Sequence, residues 1–232
     1  NVGVAYGFKL FDPFDLKNEQ DVRAAKELSE ISNWAWLRAT ETGHLEFRYT
    51  QPGIIWDKQI IFQRNILTSE MILHAKIDWL GVNFYDHSLV RGTTKPIPFE
   101  LINTQGLEGD NGSTLAPQAL EKITRLVAKH FNYPLIITES GLADSDDSRR
   151  PDFIRRNLYA LDRLRNGSEL GDPIDVRGYY HWSLMDSFEW LNGYKYRFGL
   201  FEIQYGNNLK RVPRYSAQVY LEEITKRSPP RY

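Results

Sequence analysis

Between Arg177 and Leu200 the chain reads RGYYHWSLMDSFEWLNGYKYRFGL, an apolar run that breaks into a loop and delivers Trp182, Asp186, Glu189 and Trp190 to one neighbourhood. Indole faces stack on the apolar faces of a pyranose ring and carboxylates accept hydrogen bonds from its hydroxyls, so the combination suits a sugar. A buried aromatic strand followed by a polar turn explains the same residues, and this stretch alone does not separate the two readings. Two other apolar runs end on polar groups: IDWLGVNFY closes on Asn83 and Tyr85, and YPLIITE closes on Glu139. Taken singly, each of these is an ordinary strand-end residue. Asn18-Glu19 is a further Asn-Glu pair, but it sits where a helix N-cap and its first-turn acid belong. The five histidines are scattered without ligand spacing, so neither a metal nor a cofactor is expected.

The elements that must carry these groups follow from periodicity and punctuation. Val2 to Phe8 reads as a buried strand and FDPFD as a loop after it. Ala24, Leu28, Ile31 and Ala35 recur at spacings of three and four, which predicts a helix from about Asn18 to Thr40. From His44 to Ile77 the signal is mixed, with Pro52-Gly53 as punctuation and a short helix expected from Thr68 to His74. Ile77 to Tyr85 is the second strand. The Thr-, Pro-, Gly- and Asn-rich segment from Val90 to Pro117 predicts a long loop, either a lid or an excursion.

Leu120, Ile123, Val127 and Phe131 mark a helix that leads into the strand ending on Glu139. SDDSRR then reads as a solvated loop. Pro151 suits the first turn of a helix carried by Ile154, Leu158, Leu161 and Leu164 to a stop at Asn166-Gly167. Beyond the aromatic stretch, Gly206-Asn207-Asn208 predicts a hairpin turn, and a last helix spans about Ser216 to Thr225. Strand and helix alternate, so the expected fold class is α/β with parallel strands and crossover helices, in a single domain over residues 1–232. Neither GxGxxG nor GxxxxGK[ST] follows the first strand, and the polar groups gather at strand C-termini. Both points favour a (β/α)8 barrel over an open doubly wound sheet.

Composition bounds the function classes. With 41% apolar and 25% charged residues the chain is of ordinary globular type. Its net charge of −1, with Lys and Arg dispersed, excludes a basic nucleic-acid surface. No cysteine is present, which removes disulfides, thiolate metal sites and a cysteine nucleophile. No run has the apolar length of a membrane span. The start, Asn1-Val2-Gly3-Val4-Ala5-Tyr6, has neither an initiator Met nor a signal-like pattern, so it reads as interior sequence, and a cytoplasmic setting is the default expectation.

Three separated motifs, in order, carry a resemblance. IITESG is similar to the I-T-E-N-G motif of glycoside hydrolase family 1, the β-glucosidase and β-glycosidase family. WSLMDSFEW with RFGL resembles that family's W-S-L-x-D-N-x-E-W and R-F-G-L signature, and WLGVNFY resembles its strand-six pattern. The likeness runs from VGVAY, the strand-five pattern, to the last helix, which implies strands five to eight of a (β/α)8 barrel. The strand-four T-x-N-E-P motif with the family's acid/base Glu is absent, and Asn18-Glu19-Gln20 is no substitute because it opens a helix after strand five.

The resemblance implies a retaining β-glycosidase, inactive or very weak as this chain alone. Glu139 would be the nucleophile, Tyr85 would orient it, and Asn83 would support that wall. Trp182 would floor the sugar site, Glu189 would accept two sugar hydroxyls, and Trp190 would bind another through its indole N–H. Glu189 argues for an unphosphorylated sugar, because a carboxylate repels a phosphate. Asp186 either braces the loop or touches sugar. Ser140 and Ser187 replace an Asn in their motifs, shortening polar groups expected near the site. The implied partners are a small-molecule or oligosaccharide β-glycoside and either an N-terminal half-barrel or a second copy of the chain. A non-catalytic sugar-binding or interaction protein of the same descent is the alternative.

Overall fold

The computed structural model describes residues 1–51, 58–66, 77–95, 97–116 and 118–227. The short helix expected from Thr68 to His74 lies outside them. Four strands, β1 (Gly3–Pro13), β4 (Trp79–Gly92), β8 (Leu135–Ser140) and β9 (Val176–His181), form a parallel sheet in the order β1-β4-β8-β9. The α/β expectation with parallel strands holds. Helices α1 (Glu19–Ser29) and α2 (Ala35–Thr42), joined by a π-helical turn over Glu30–Trp34, follow β1. α3 (Ala119–His130) precedes β8, α4 (Arg150–Asn166) precedes β9, and α5 (Tyr215–Arg227) ends the described chain.

Alternation along each strand gives the sheet two unlike faces. Phe8, Leu80, Val82, Phe84, Leu135, Ile137, Val176 and Tyr179 are buried in one core with Ile123 and Val127 of α3 and Ile154, Leu158 and Leu161 of α4. The other face carries Gly3, Ala5 and Gly7 on β1, Gly81 and Asn83 on β4, Thr138 on β8, and Tyr180 on β9. Among the described residues, β1 and β9 each pair on one side only. No helix among them is long and apolar enough to cross a membrane.

The Asn18 side chain accepts a hydrogen bond from the Gln20 N–H at 2.9 Å, as an N-cap does. FDPFD, expected as a loop, instead extends the first strand to Pro13. Beyond a register shift at Phe8/Lys9, β1 stays paired with β4 to Val90, and the Phe14 N–H continues to the Val90 carbonyl. Pro13 is tolerated because it closes the strand. From His44 to Ile77, where the pattern was mixed, β2 (His44–Gln51) and β3 (Lys58–Asn65) form an antiparallel hairpin. The segment from Val90 to Pro117, expected as a long loop, carries strands of its own among its described residues. β5 (Phe99–Asn103) returns along the end of β4, and β6 (Leu107–Glu108) pairs with β7 (Thr114–Leu115). The expected hairpin around Gly206 is β10 (Phe201–Gln204) with β11 (Lys210–Pro213).

Candidate active site

Asn83 and Tyr85 do not close β4, which runs on to Gly92, but they meet the C-terminal end of β8 because the ladder between the two strands is irregular there. Val82 pairs with Ile137, but Asn83 pairs with Glu139, so Thr138 is an extra residue in β8. Such a bulge re-aims the following side chain. The Tyr85 hydroxyl donates to Glu139 Oε2 at 2.7 Å, and Thr138 Oγ1 donates to Asn83 Oδ1 at 2.7 Å. Burial, and then the Glu139 carboxylate it touches, pushes the Tyr85 phenol far above its ordinary value of 10.0, so Tyr85 stays a proton donor at any working pH. The Phe198 ring stands edge-on to Tyr85, with centroids 6.2 Å apart and planes at 89°. Phe198 belongs to RFGL, yet sequence reasoning gave it no role.

After β9 the chain turns through the cis peptide Trp182-Ser183. The Trp182 N–H donates to the Ser140 carbonyl at 3.0 Å, which sets Trp182 beside the end of β8 with about a third of its surface exposed. The loop then brings Glu189 near enough to Tyr85 for its charge to help raise the phenol. Ser187 Oγ donates to Glu189 Oε1 at 2.8 Å, so this serine holds the carboxylate that the sequence assigned to sugar. Trp190 opens a short 3-10 turn, Trp190–Asn192, and stands 87% exposed. The structure therefore brings together Glu139, Tyr85, Asn83, Trp182 and Glu189, and leaves Trp190 pointing into solvent.

Asp186 braces the loop. Its carboxylate is buried, takes a two-pronged ion pair from Arg214 (3.0 and 2.9 Å), and accepts the Gly199 N–H at 3.0 Å. Ser140 does not face the site, contrary to the sequence expectation. It is fully buried on the helix side, where Asn157 of α4 donates to its hydroxyl at 3.0 Å. SDDSRR is a loop with Ser145, Asp146 and Ser148 exposed, as expected, but its arginine end turns inward. Arg150 is fully buried and donates to the carbonyls of Asp144 and Arg197, while Asp144 accepts the N–H groups of Arg149 (2.9 Å) and Arg150 (2.8 Å) at the start of α4. These carbonyls and N–H groups need partners once buried, and the charged run supplies them.

Gly141 is required where the strands turn apart. A Cβ there would lie 2.0 Å from the Trp182 carbonyl oxygen, a backbone atom that cannot swing aside. Gly141→Ala is expected to destabilise the chain by about 1 to 3 kcal/mol, the usual cost of overpacking, read as a lower urea midpoint with an unchanged slope.

His181 ends β9 with both ring nitrogens buried and without a hydrogen-bond partner among the described residues, between the rings of Phe153 and Tyr220. Burial, and secondarily the Arg150 charge, pushes its pKa from 6.5 down to about 3. A base whose folded value is depressed binds fewer protons when folded. It contributes stability that is present above pH 6.5 and is lost as pH falls toward 3. The urea midpoint is expected to fall on acidification from pH 6.5 to 4.5, and His181→Phe to flatten most of that slope. His130, stacked on Trp34 and also lowered by burial, contributes in the same direction.

Known proteins resemble this chain along nearly its whole length. A β-galactosidase of Sulfolobus acidocaldarius is 33% identical over 238 residues, covering 97% of this chain and 43% of that protein. A 6-phospho-β-galactosidase of Staphylococcus aureus is 31% identical, covering 95% and 53%. Among solved structures, a β-glycosidase from Pyrococcus horikoshii superposes with a TM-score of 0.75 at 30% identity, covering 98% and 48%. The chain thus spans about half the length of the relatives it matches. The family model for glycosyl hydrolase family 1 matches residues 1–229, and with nearly the whole sequence inside that match the chain belongs to glycosyl hydrolase family 1.

Proposed function

We propose that the chain supplies the nucleophile wall of a retaining β-glycosidase, with β1, β4, β8 and β9 as barrel strands five to eight. The observation that carries this reading is the 2.7 Å hydrogen bond from the Tyr85 hydroxyl to Glu139, made where the parallel β4–β8 ladder ends, at the C-terminal end of β8. That is the end at which barrels gather their sites. Glu139 attacks the anomeric carbon, the bond to the leaving oxygen breaks, and a glycosyl ester forms on the carboxylate for water to cleave. Tyr85 aims the carboxylate and Asn83, which accepts the Thr138 hydroxyl, supports that wall. Trp182 carries the sugar ring, Glu189 accepts its hydroxyls, and Trp190 contributes its indole N–H once the pocket is complete. The substrate is a β-glucoside or β-galactoside with an unphosphorylated sugar. The relatives include a 6-phospho-β-galactosidase, but the Glu189 carboxylate disfavours a phosphate at that wall.

A retaining mechanism needs a second carboxyl about 5 Å from the first to protonate the leaving oxygen. The chain has no Asn-Glu-Pro to supply it. The one-sided pairing of β1 and β9, the exposed Tyr180, Leu184 and Trp190, and relatives of twice the length all favour a partner, either an N-terminal half-barrel or a second copy. Light scattering on the eluting chain tests this: a stable, active monomer contradicts it. An activated aryl β-glucoside tests the chemistry, because a good leaving group needs little acid assistance. A burst of aryl alcohol approaching one equivalent per chain is expected. Sugar binding without any burst would favour the non-catalytic alternative.

A further inference from the structure

Glu139 lies in a stretch of β8 that its neighbours do not hold regularly. Toward β4, Thr138 is the extra residue. Toward β9, the ladder passes from Ile137↔Tyr179 to Ser140↔His181, so three steps of β8 oppose two of β9. The backbone around Glu139 is therefore irregular on both sides: toward β4 pairing resumes at Glu139 itself, directly after the extra Thr138, and toward β9 it resumes at Ser140. A bulge leaves its residue free of the ladder and bends the strand, so the direction of the Glu139 side chain depends on what fixes the two ends of the bulge.

Behind the sheet one side chain touches both ends. Asn157 of α4 donates through Nδ2 to Ser140 Oγ at 3.0 Å and to the Tyr179 hydroxyl at 3.2 Å. All three residues are buried, Ser140 completely. An amide nitrogen has two N–H groups, and both are used here. Tyr179 stands opposite the start of the irregular stretch and Ser140 closes it, so the amide bridges the two strands across the bulge. Burial also pushes the Tyr179 phenol well above its ordinary value of 10.0, so the hydroxyl remains neutral.

We propose that Asn157 is a positioning residue, which by bridging Ser140 and Tyr179 fixes the bulge that aims Glu139 at the Tyr85 hydroxyl. The inference rests on the reading of Glu139 as nucleophile only for its kinetic consequence. The geometric part stands without it. It also gives Ser140 a reason: a longer side chain at this fully buried position would compete with Asn157 for the same space, and the amide is supplied from the helix instead of from the strand.

The test uses the whole chain with Asn157→Leu, which keeps the volume and removes the donors, Tyr179→Phe, which removes one end of the bridge, and the exchange Ser140→Asn/Asn157→Ser. Two readouts are taken at a temperature where circular dichroism finds each variant folded. The first is the carbon chemical shift of the Glu139 carboxyl, assigned with Glu139→Gln. In Asn157→Leu it is expected to move toward its position in Tyr85→Phe, reporting loss of the Tyr85 contact, and the exchange variant is expected to restore it. The second is the aryl β-glucoside burst, where the rate constant is expected to fall at least about tenfold in Asn157→Leu while the amplitude per folded chain is unchanged. A merely structural role would lower melting temperature or amplitude and leave the shift and the rate constant alone. That outcome overturns the proposal, as does an unmoved carboxyl shift in both Asn157→Leu and Tyr179→Phe. Should the parent chain give no burst, the nucleophile reading fails, and the carboxyl shift still decides whether Asn157 positions Glu139.

Discussion

Glu139→Gln is expected to abolish the aryl β-glucoside burst, with the rate falling by at least about a thousandfold, as removal of an attacking group does. The amide is nearly isosteric with the carboxylate and its oxygen still accepts the Tyr85 hydroxyl, so the fold should be retained and the melting temperature little changed. The lost quantity is the ability to form the glycosyl ester. Glu139→Ala makes the stronger case. It opens space on the face from which Glu139 attacks, and a small anion such as azide entering there should displace the aryl group and leave an α-glycosyl azide. Recovery of that inverted product, absent with Glu139→Gln, would locate the attacking face. A burst surviving in Glu139→Gln would assign the release to another group.

Arg150→Met is expected to cause the largest loss of stability, about 3 to 5 kcal/mol, the cost of removing one partner from a buried ion pair. Arg150 is fully buried at the start of α4. It pairs with Asp147, whose other oxygen accepts the Ser216 N–H at 2.8 Å, and it donates to the carbonyls of Asp144 and Arg197. Burial pulls its pKa below the usual guanidinium range, the Asp147 charge draws it back, and the group stays cationic. One side chain thus fastens the loop after β8, the loop before Phe198 and the start of α5. Removing it leaves the Asp147 carboxylate without its cation and takes one of two donors from each carbonyl, Arg197 keeping the Asp144 N–H at 2.9 Å and Asp144 the Asp147 N–H at 3.4 Å. Arg150→Lys should recover only part of the loss, since one ammonium lacks the planar fork that reaches both carbonyls. Urea titration at pH 7 measures both variants; a loss below 1 kcal/mol for Arg150→Met would mean that solvent, rather than Arg150, satisfies these groups.

What was legible in the sequence follows from which forces act locally. Strands β4 and β8 read clearly because their helix-side residues, Leu80, Val82, Leu135 and Ile137, are apolar and fully buried. The N-cap at Asn18 and the Pro151 start of α4 are set by neighbours along the chain, and they too were visible. The β2–β3 hairpin was not, because Lys58–Asn65 is mostly exposed and shows no alternation that a core would impose. The extension of β4 past Tyr85 was hidden for a related reason. Asp86, His87 and Ser88 read as a polar end, but His87 pairs with Asp12 at 3.1 Å, and Lys122 reaches the same carboxylate at 2.6 Å.

In the candidate site, Glu139, Tyr85 and Asn83 could be named from strand ends and motif resemblance, and their contacts followed. The supporting groups could not. Ser140 faces α4 rather than the site only because β8 is bulged, and a bulge has no mark in IITESG. Arg150 looked solvated because a run of charges carries no record of the distant carbonyls at Arg197 and Asp144 that draw one of them inward. Ser187 could be seen only as a departure from a motif until its hydroxyl was found against Glu189.

The central claim is that Glu139 is the atom-bonding group of a retaining glycosidase. A 2-deoxy-2-fluoro-β-glucoside with a dinitrophenyl leaving group tests it directly. The fluorine slows both the formation and the hydrolysis of the glycosyl ester, and the activated leaving group restores only the first, so the ester accumulates. Mass spectrometry of the intact chain should find the mass of one fluoroglucosyl group, and peptide mapping should find it on the fragment containing Glu139. No adduct after prolonged incubation with the completed pocket, or an adduct on any other residue, would contradict the assignment.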